Sequence, residues 1–233
     1  MLLTSMLSAE QIKTLALSLG ADRCGIADAA RFDDAPKGFQ PRDIYSKCHS
    51  VIVFLKRLPV EVLRSGNPVV YTHTAGFLYR ELDRIGMELC YRLEKEGIHP
   101  VPVPTDDPYM HWEPERMHGM GILSMRHSAR NAGLGILGRN TLLINEEMGN
   151  IVYIGAVLVD AILEADPLVT DFHCPPHCRL CIDACPVGAF DGVTVIQERC
   201  RKHSIASHPR GWSLYTCSAC RAACPYAEGT GKG

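Results

Sequence analysis

Long hydrophobic runs and a strong charge of either sign are both missing from this 233-residue sequence. No apolar stretch reaches the ~18 to 20 residues that cross a bilayer. The N-terminal residues MLLTSMLSAE lack the basic start and the small-residue cleavage site of a signal peptide. Lys and Arg number 24 against 26 Asp and Glu, a formal net charge of -2, so no overall basic field can hold a nucleic-acid backbone or an anionic membrane. We therefore expect a soluble, cytoplasmic protein without a membrane partner.

Cysteine, by contrast, is abundant and unevenly distributed. Of the 11 cysteines, only Cys24, Cys48 and Cys90 lie outside residues 174–224. Reducing cytosolic conditions disfavour disulfides, so the clustered thiols are predicted to bind metal. The three isolated cysteines are predicted to be small buried hydrophobic residues, because free cysteine is most often buried.

The spacing of the clustered cysteines is typical of bacterial iron–sulfur proteins. Two groups end alike, in CRLCIDACP at Pro186 and CSACRAACP at Pro225. In such proteins the cysteine before the proline binds the cluster of the other group. This rule predicts one 4Fe-4S cluster on Cys174, Cys178, Cys181 and Cys224, and a second on Cys185, Cys200, Cys217 and Cys220. Structural zinc is the alternative, but four thiolates per zinc ion would give no reason for the proline endings.

Helix and strand patterns alternate before the cysteine-rich segment. Helical spacing is found over residues 9–20, 74–97 and 123–132, and strand patterns over 23–27, 50–56, 141–145 and 151–160, while the proline-rich 98–104 suits an edge strand. Residues 105–121 have no apolar period and are predicted to form a functional loop or a lid, in which Asp106 and Asp107 lie on a solvated turn. We predict an α/β or α+β domain over residues 1–165 and a ferredoxin-like two-cluster module over 172–227.

Gly133, Gly135 and Gly138 form a GxGxxG pattern in an unusual context. The pattern follows a predicted helix and precedes a predicted strand, whereas the dinucleotide-binding fingerprint has the opposite order. Nicotinamide binding is therefore disfavoured. Three glycines this close predict either a tight helix-to-strand turn or a backbone that lies against a large flat cofactor.

The segments SMRHSARNAGLGILGRNTLLI and VYIGAVLVD, followed by the two cysteine groups, resemble the epoxyqueuosine reductase family over most of the chain. The resemblance implies a nitroreductase-like, corrinoid-binding domain beside a double 4Fe-4S domain. It also implies that electrons pass from a low-potential donor of the ferredoxin or flavodoxin type through the clusters to a bound cobalamin. The corrinoid contacts implied by the resemblance are Gly133, Leu134, Gly135, Gly138 and Asn140.

One position departs from the family pattern. The family's proton-donating aspartate corresponds to Gly119 here, so we expect a substrate other than epoxyqueuosine. His118, Glu115 and His127 are the nearby candidates for a substitute donor. The sequence stops soon after Cys224, without the family's helical-repeat tail for tRNA and without a basic stripe in its place, so we expect no nucleic-acid partner.

These observations predict an iron–sulfur oxidoreductase in which two 4Fe-4S clusters deliver electrons to a cobalamin that reduces a small-molecule or corrinoid substrate. The alternative is an electron-transfer protein, or a reductive activator of another corrinoid protein, with no small-molecule substrate of its own. A folded segment of ~165 residues is more than two clusters need, which favours the reductase. Flavin in place of the corrinoid is a third possibility, although the sequence has no specific flavin signature.

Overall fold

The computed structural model describes residues 7–231. Its helices are Ala9–Ser18 (α1), Pro41–Ile44 (α2), Val60–Arg64 (α3), Pro68–Lys95 (α4), Met125–Asn131 (α5), Leu180–Asp183 (α6), Gln197–Ser204 (α7) and Ala219–Ala222 (α8). Its strands are Arg23–Asp28 (β1), Ser50–Arg57 (β2), Pro100–Val103 (β3), His111–Glu113 (β4), His118–Met120 (β5), Ile136–Leu137 (β6), Leu143–Ile144 (β7), Val152–Val159 (β8), Ile205–Ser207 (β9) and Ser213–Tyr215 (β10). No helix in the described range is long and apolar enough to cross a membrane. The expectation that the first ten residues are not a signal peptide concerns in part residues 1–6, which lie outside the described range.

The centre of the fold is a four-stranded sheet in the order β1-β2-β8-β3, in which every pair of neighbours is antiparallel. β8 and most of β2 are buried, which explains their continuous Val, Ile and Leu runs. β3 lies at the edge, where Pro100 and Pro102 remove no essential ladder hydrogen bond. The predicted mixture of helix and strand is confirmed, and the antiparallel pairing is that of an α+β fold.

One face of the sheet is covered by α1 and the long helix α4. Leu82, Ile85 and Leu89 of α4 are fully buried in the same cluster as Phe54 of β2. α4 begins at Pro68, earlier than the predicted residue 74, because the Asn67 side chain accepts the hydrogen bonds of the first free amides. Pro68 itself suits the first helical position, where no amide donor is needed.

The opposite face is covered by α5 and by the loops that flank it. The predicted loop 105–121 contains more regular structure than its composition indicated, because β4 and β5 pair as a short hairpin around a 3-10 turn. Each strand has only three residues, too short for an alternating pattern to be visible in the sequence. The helix-to-strand context of the GxGxxG pattern is confirmed, since α5 precedes it and β6 begins within it.

The cysteine-rich segment packs on this body through specific polar contacts. Asn140 donates a hydrogen bond to the carbonyl of Cys220 at 3.1 Å, and the Tyr215 amide donates to the Thr72 hydroxyl at 2.8 Å. Within the segment, α6 and α8 lie against each other. The domain boundary near residues 165–172 and the ferredoxin-like character of the segment stay predictions.

Candidate cluster sites and active-site cavity

The eight clustered cysteines are brought together from two distant parts of the chain. Cys181 lies in α6 and Cys220 in α8, and the packing of these two short helices brings both cysteine groups to one place. In each CxxxC pair the first cysteine lies on the helix and the second lies two residues beyond the helix end, just before a proline that turns the chain away.

The first set of four surrounds Cys181. Burial raises the pKa of its thiol, and the neighbouring Cys224, Cys174 and Cys178 raise the pKa further because thiolates repel one another. Cys224 also interacts electrostatically with Cys174 and Cys178. Three of these residues come from the first cysteine group and Cys224 comes from the second.

The second set surrounds Cys220. Burial raises the pKa of its thiol to about 11, with further upward contributions from Cys200, Cys217 and Cys185, and a downward contribution from Arg221. Here three residues come from the second half of the segment and Cys185 crosses over from the first. The structure thus gathers the same two foursomes that the crossing rule predicts; their role as iron ligands stays a prediction.

Two sets of four soft thiols fit the ligand requirement of two 4Fe-4S clusters. Four thiolates at one place repel one another. The positive charge of bound iron would offset this repulsion and keep the four cysteines deprotonated. Backbone donors are also present, because the Ala189 amide donates to the sulfur of Cys185 at 3.3 Å. Between residues 7 and 231 no three His, Cys, Asp or Glu side chains form a group suited to a single metal ion. A four-iron cluster binds each thiolate on a different iron, so its ligands are spread more widely.

A cavity of about 790 Å³ lies beside the second set. Cys200 forms part of its wall, together with Gln197 and Arg201 of α7. The other walls come from three stretches that precede the cysteine-rich segment: residues 32–39, residues 104–109 and residues 119–131. A cavity in the range of roughly 300–1,000 Å³ accepts a sizeable organic ligand. A thiol of the proposed second cluster therefore borders a space large enough for a reaction partner.

The five residues implied as corrinoid contacts do not line this cavity. Gly133 and Gly135 have φ of +70° and +151°, and a Cβ on either would overlap a backbone carbonyl, that of Pro167 or of Ile144. Gly138 packs against the Ile144 side chain. In this structure the glycine segment is explained by close packing of the protein on itself.

The other two residues of that prediction also have structural partners. Leu134 is buried in the core beneath α5, and Asn140 is buried and bonds to the Cys220 carbonyl. Their contact with a corrinoid stays a prediction, and the cavity beside Cys200 is formed by other residues.

Gly119 lines the cavity from β5, opposite Trp112 of β4. Gln197 fixes its backbone by accepting from the Gly119 amide and donating to the Gly119 carbonyl, both at 3.0 Å. A Cβ at this position would come within 2.9 Å of the Trp112 ring and 3.5 Å of Tyr109. The space in which an aspartate side chain would begin is therefore filled by aromatic rings.

Tyr109 and Asp106 form a polar pair in the cavity wall, a pairing that the sequence does not indicate. The Tyr109 hydroxyl donates to the Asp106 carboxylate at 3.0 Å. Arg201 lies over the rings of Tyr109 and Trp112, with its guanidinium 5.6 Å and 5.1 Å from their centroids. Burial raises the pKa of both Asp106 and Tyr109, so the phenol keeps its proton near neutral pH. Asp107 is exposed, as a solvated turn requires, whereas Asp106 is half-buried beside Tyr109.

Of the three predicted substitute proton donors, only His127 lines the cavity. Its ring bonds to the Ser124 hydroxyl at 2.7 Å, and burial lowers its pKa, with Arg126 and Arg130 lowering it further. His118 lies outside the cavity lining, 3.6 Å from Glu113. Glu115 is exposed on the 3-10 turn and is also absent from the lining.

Sequence comparison identifies relatives of this chain, although no protein-family profile matches it. The epoxyqueuosine reductase of Leadbetterella byssophila is 27% identical over 260 aligned positions, which cover 93% of this chain and 79% of the relative. The resemblance to epoxyqueuosine reductases is confirmed. The enzyme of Pseudomonas aeruginosa is 34% identical over 119 residues, but this match covers 45% of the chain and only 33% of that relative's length.

Solved structures share the fold with this chain. The epoxyqueuosine reductase of Streptococcus thermophilus superposes with a TM-score of 0.64 at 20% identity, covering 94% of this chain and 65% of that one. A B12-dependent reductive dehalogenase gives a TM-score of 0.72 at 20% identity, with 95% of this chain and 32% of that one covered. A further epoxyqueuosine reductase structure contains a tRNA-Tyr stem loop modified with epoxyqueuosine; its TM-score is 0.62 at 19% identity, over 94% of this chain and 64% of that one. The chain thus corresponds to only part of each of these proteins.

Proposed function

We propose that this chain is a reductase with two 4Fe-4S clusters and a cobalamin, and that its reaction takes place in the cavity beside Cys200. The observation that carries this proposal is the position of Cys200, which belongs to the second foursome of cysteines and also lines the cavity. An electron carrier alone has no need for a cavity of about 790 Å³ next to a cluster ligand.

The chain's own residues would hold the clusters as the two foursomes described above. Cys174, Cys178, Cys181 and Cys224 would bind the first cluster, and Cys185, Cys200, Cys217 and Cys220 the second. Hydrogen bonds to sulfur tune the reduction potential of such clusters. The Ala189 amide donates to the Cys185 sulfur, so it is positioned to tune the second cluster. A low-potential ferredoxin or flavodoxin would supply single electrons.

Cobalamin, when bound, supplies a strongly reducing metal centre that clusters alone do not provide. Solved relatives in fold include a B12-dependent enzyme, which supports this choice of cofactor. We propose that a corrinoid lies in the cavity between α7 and the wall formed by residues 119–131. Phe39, Met120 and Met125 line the cavity, are partly exposed and would provide apolar surface for the corrin ring.

The proton for the reduced product would come from Tyr109. Its phenol lines the cavity, keeps its proton near neutral pH and donates to the Asp106 carboxylate. A substrate that gains electrons would take the proton from Tyr109, and the resulting phenolate would be stabilised by Arg201 until solvent reprotonates it. Burial and the Asp106 charge raise the pKa of the phenol, and the Arg201 cation offsets part of that rise.

Epoxyqueuosine in tRNA is the second candidate substrate, because a solved relative in fold contains an epoxyqueuosine-modified tRNA stem loop. This finding runs against the expectation of no nucleic-acid partner. Against it, Gly119 lacks the family's aspartate side chain, and Trp112 occupies the neighbouring space. We therefore favour a substrate other than epoxyqueuosine.

The test is the cofactor content of the anaerobically purified, cluster-reconstituted protein. After incubation with cobalamin and desalting, we expect about eight iron atoms and one cobalt atom per chain. About eight iron atoms without cobalt would reject the corrinoid and favour the electron-transfer alternative or a flavoprotein. About two zinc atoms in place of iron would reject the clusters as well.

A further inference from the structure

Two arginines and a histidine face the cavity from α5. Arg126, His127 and Arg130 all line it, and we call these three residues the basic wall. Asp34 and Asp106 also line the cavity, but Asp106 is engaged by Tyr109. Asp34 acts on His127, whose pKa it raises slightly against the larger lowering effects of burial and the two arginines.

One nitrogen of the Arg126 guanidinium holds the side chain in a fixed orientation. Its Nη1 donates to both the carbonyl and the hydroxyl oxygen of Thr141, each at 2.6 Å. Burial lowers the pKa of Arg126, and no carboxylate in the described part of the chain counteracts this effect. Arg126 is half-buried, and a guanidinium partly withdrawn from water without an anionic partner gains from a ligand that supplies the anion.

Thr141, which orients Arg126, has a strained backbone. Its φ is +62°, in the left-handed region that β-branched residues rarely adopt. The Thr141 amide donates to the Gly138 carbonyl at 2.8 Å, which closes a tight turn and points the Thr141 carbonyl at Arg126. Strained residues of this kind persist where the surrounding structure enforces them, and they cluster at ligand sites.

We propose that the basic wall binds an oxyanion, a carboxylate or a phosphate, carried by a ligand of the cavity. Arg126 uses Nη1 on Thr141, which leaves its other nitrogens for the anion, and Arg130 is exposed at the same wall. The planar guanidinium matches the geometry of both anions. This inference rests on the proposed function, because it assigns a ligand class to the same cavity. The anion belongs either to the substrate or to the phosphate of the corrinoid.

Equilibrium dialysis of the cluster-reconstituted protein tests the basic wall directly. Benzoate is the anionic probe, and benzamide is its neutral counterpart of the same shape. We expect benzoate to bind more tightly than benzamide. We further expect Arg126→Gln to weaken benzoate binding by roughly 10- to 100-fold and to leave benzamide unchanged, as for the loss of hydrogen bonds to a charged group. Arg139→Gln is the matched control, because Arg139 is exposed and lies outside the cavity lining.

The source of the anion is separated by a second pair of probes. Cobalamin carries a phosphodiester and cobinamide does not. If Arg126→Gln weakens only cobalamin, the wall binds the cofactor's own phosphate; if it weakens benzoate but neither corrinoid, the wall binds the substrate.

The inference would be overturned if the parent protein binds benzoate and benzamide equally and if the Arg126→Gln variant binds both corrinoids as tightly as the parent does. Iron and cobalt are measured on the same samples. One cobalt per chain with equal binding of benzoate and benzamide would support the proposed function and reject the basic wall as an anion site. Tighter binding of benzoate without bound cobalt would support the anion site and reject the proposed cobalamin.

Discussion

Replacing Cys224 by alanine is the sharpest test of how the chain holds iron. Cys224 is four residues from Cys220 in sequence, yet its electrostatic partners are Cys174, Cys178 and Cys181. Cys224→Ala should therefore damage the first cluster and leave the second intact. The iron content should fall from about eight towards about four atoms per chain.

The substitution removes only one sulfur atom and should preserve the local fold. The turn after α8 is held by backbone hydrogen bonds, from the Ala227 amide to the Cys224 carbonyl at 2.9 Å and from the Asn150 amide to the Ala227 carbonyl at 3.1 Å. Neither bond uses the thiol. A loss of iron would then report ligation and not unfolding.

The assay is EPR spectroscopy of the dithionite-reduced protein, with three matched alanine variants. The spectrum of Cys224→Ala should match that of Cys181→Ala, its partner across the fold. It should differ from that of Cys220→Ala, its neighbour in sequence. Cys90→Ala, at a buried cysteine outside both foursomes, should keep the spectrum and the iron content of the parent protein. A match between Cys224→Ala and Cys220→Ala would refute the crossed arrangement.

Three further predictions concern the cavity and the contacts that support it. Gly119→Asp should lower the free energy of unfolding by about 1–3 kcal/mol, measured by denaturant titration, because the new Cβ crowds Trp112. We expect this variant to reduce epoxyqueuosine only when Trp112→Ala is added. Reduction by Gly119→Asp alone would show that the Trp112 ring does not obstruct the aspartate. Tyr109→Phe should slow substrate reduction by roughly 10²- to 10⁴-fold while iron and cobalt contents stay unchanged; an unchanged rate would eliminate the phenol as proton donor. Asn140→Ala should cost about 1–3 kcal/mol and reduce iron retention, because the Cys220 carbonyl loses its partner; unaltered stability would mean that this contact does not hold the segment.

The parts of the fold that local pattern determines were predictable. β2 and β8 are continuous apolar runs, and both are buried central strands. The edge position of β3 followed from its prolines. The hairpin of β4 and β5 was missed because three-residue strands carry no recognisable period, and their pairing depends on side chains such as Trp112 that fold over the strand opposite.

The site was predictable only where spacing specifies chemistry. The cysteine spacing predicted two foursomes, and the structure brings the same residues together. The cavity was not predictable, because its walls come from segments as far apart as Phe32 and Arg201. Asp106 illustrates the difficulty: its partial burial and raised pKa depend on tertiary contacts that no local pattern records. Tyr109 and Trp112, two aromatic residues in an otherwise polar loop, were the available signal.

The crossed cysteines have a consequence for chain entropy. With the first cluster bound, Cys224 is tied to Cys174 and the chain between them becomes a closed loop of about 50 residues. By the relation used for covalent cross-links, closing such a loop disfavours the unfolded chain by about 4 kcal/mol. That loop contains Gln197, Cys200 and Arg201, which form one wall of the cavity. Loss of iron would remove this constraint from the loop, so we expect ligand binding in the cavity to weaken together with electron delivery.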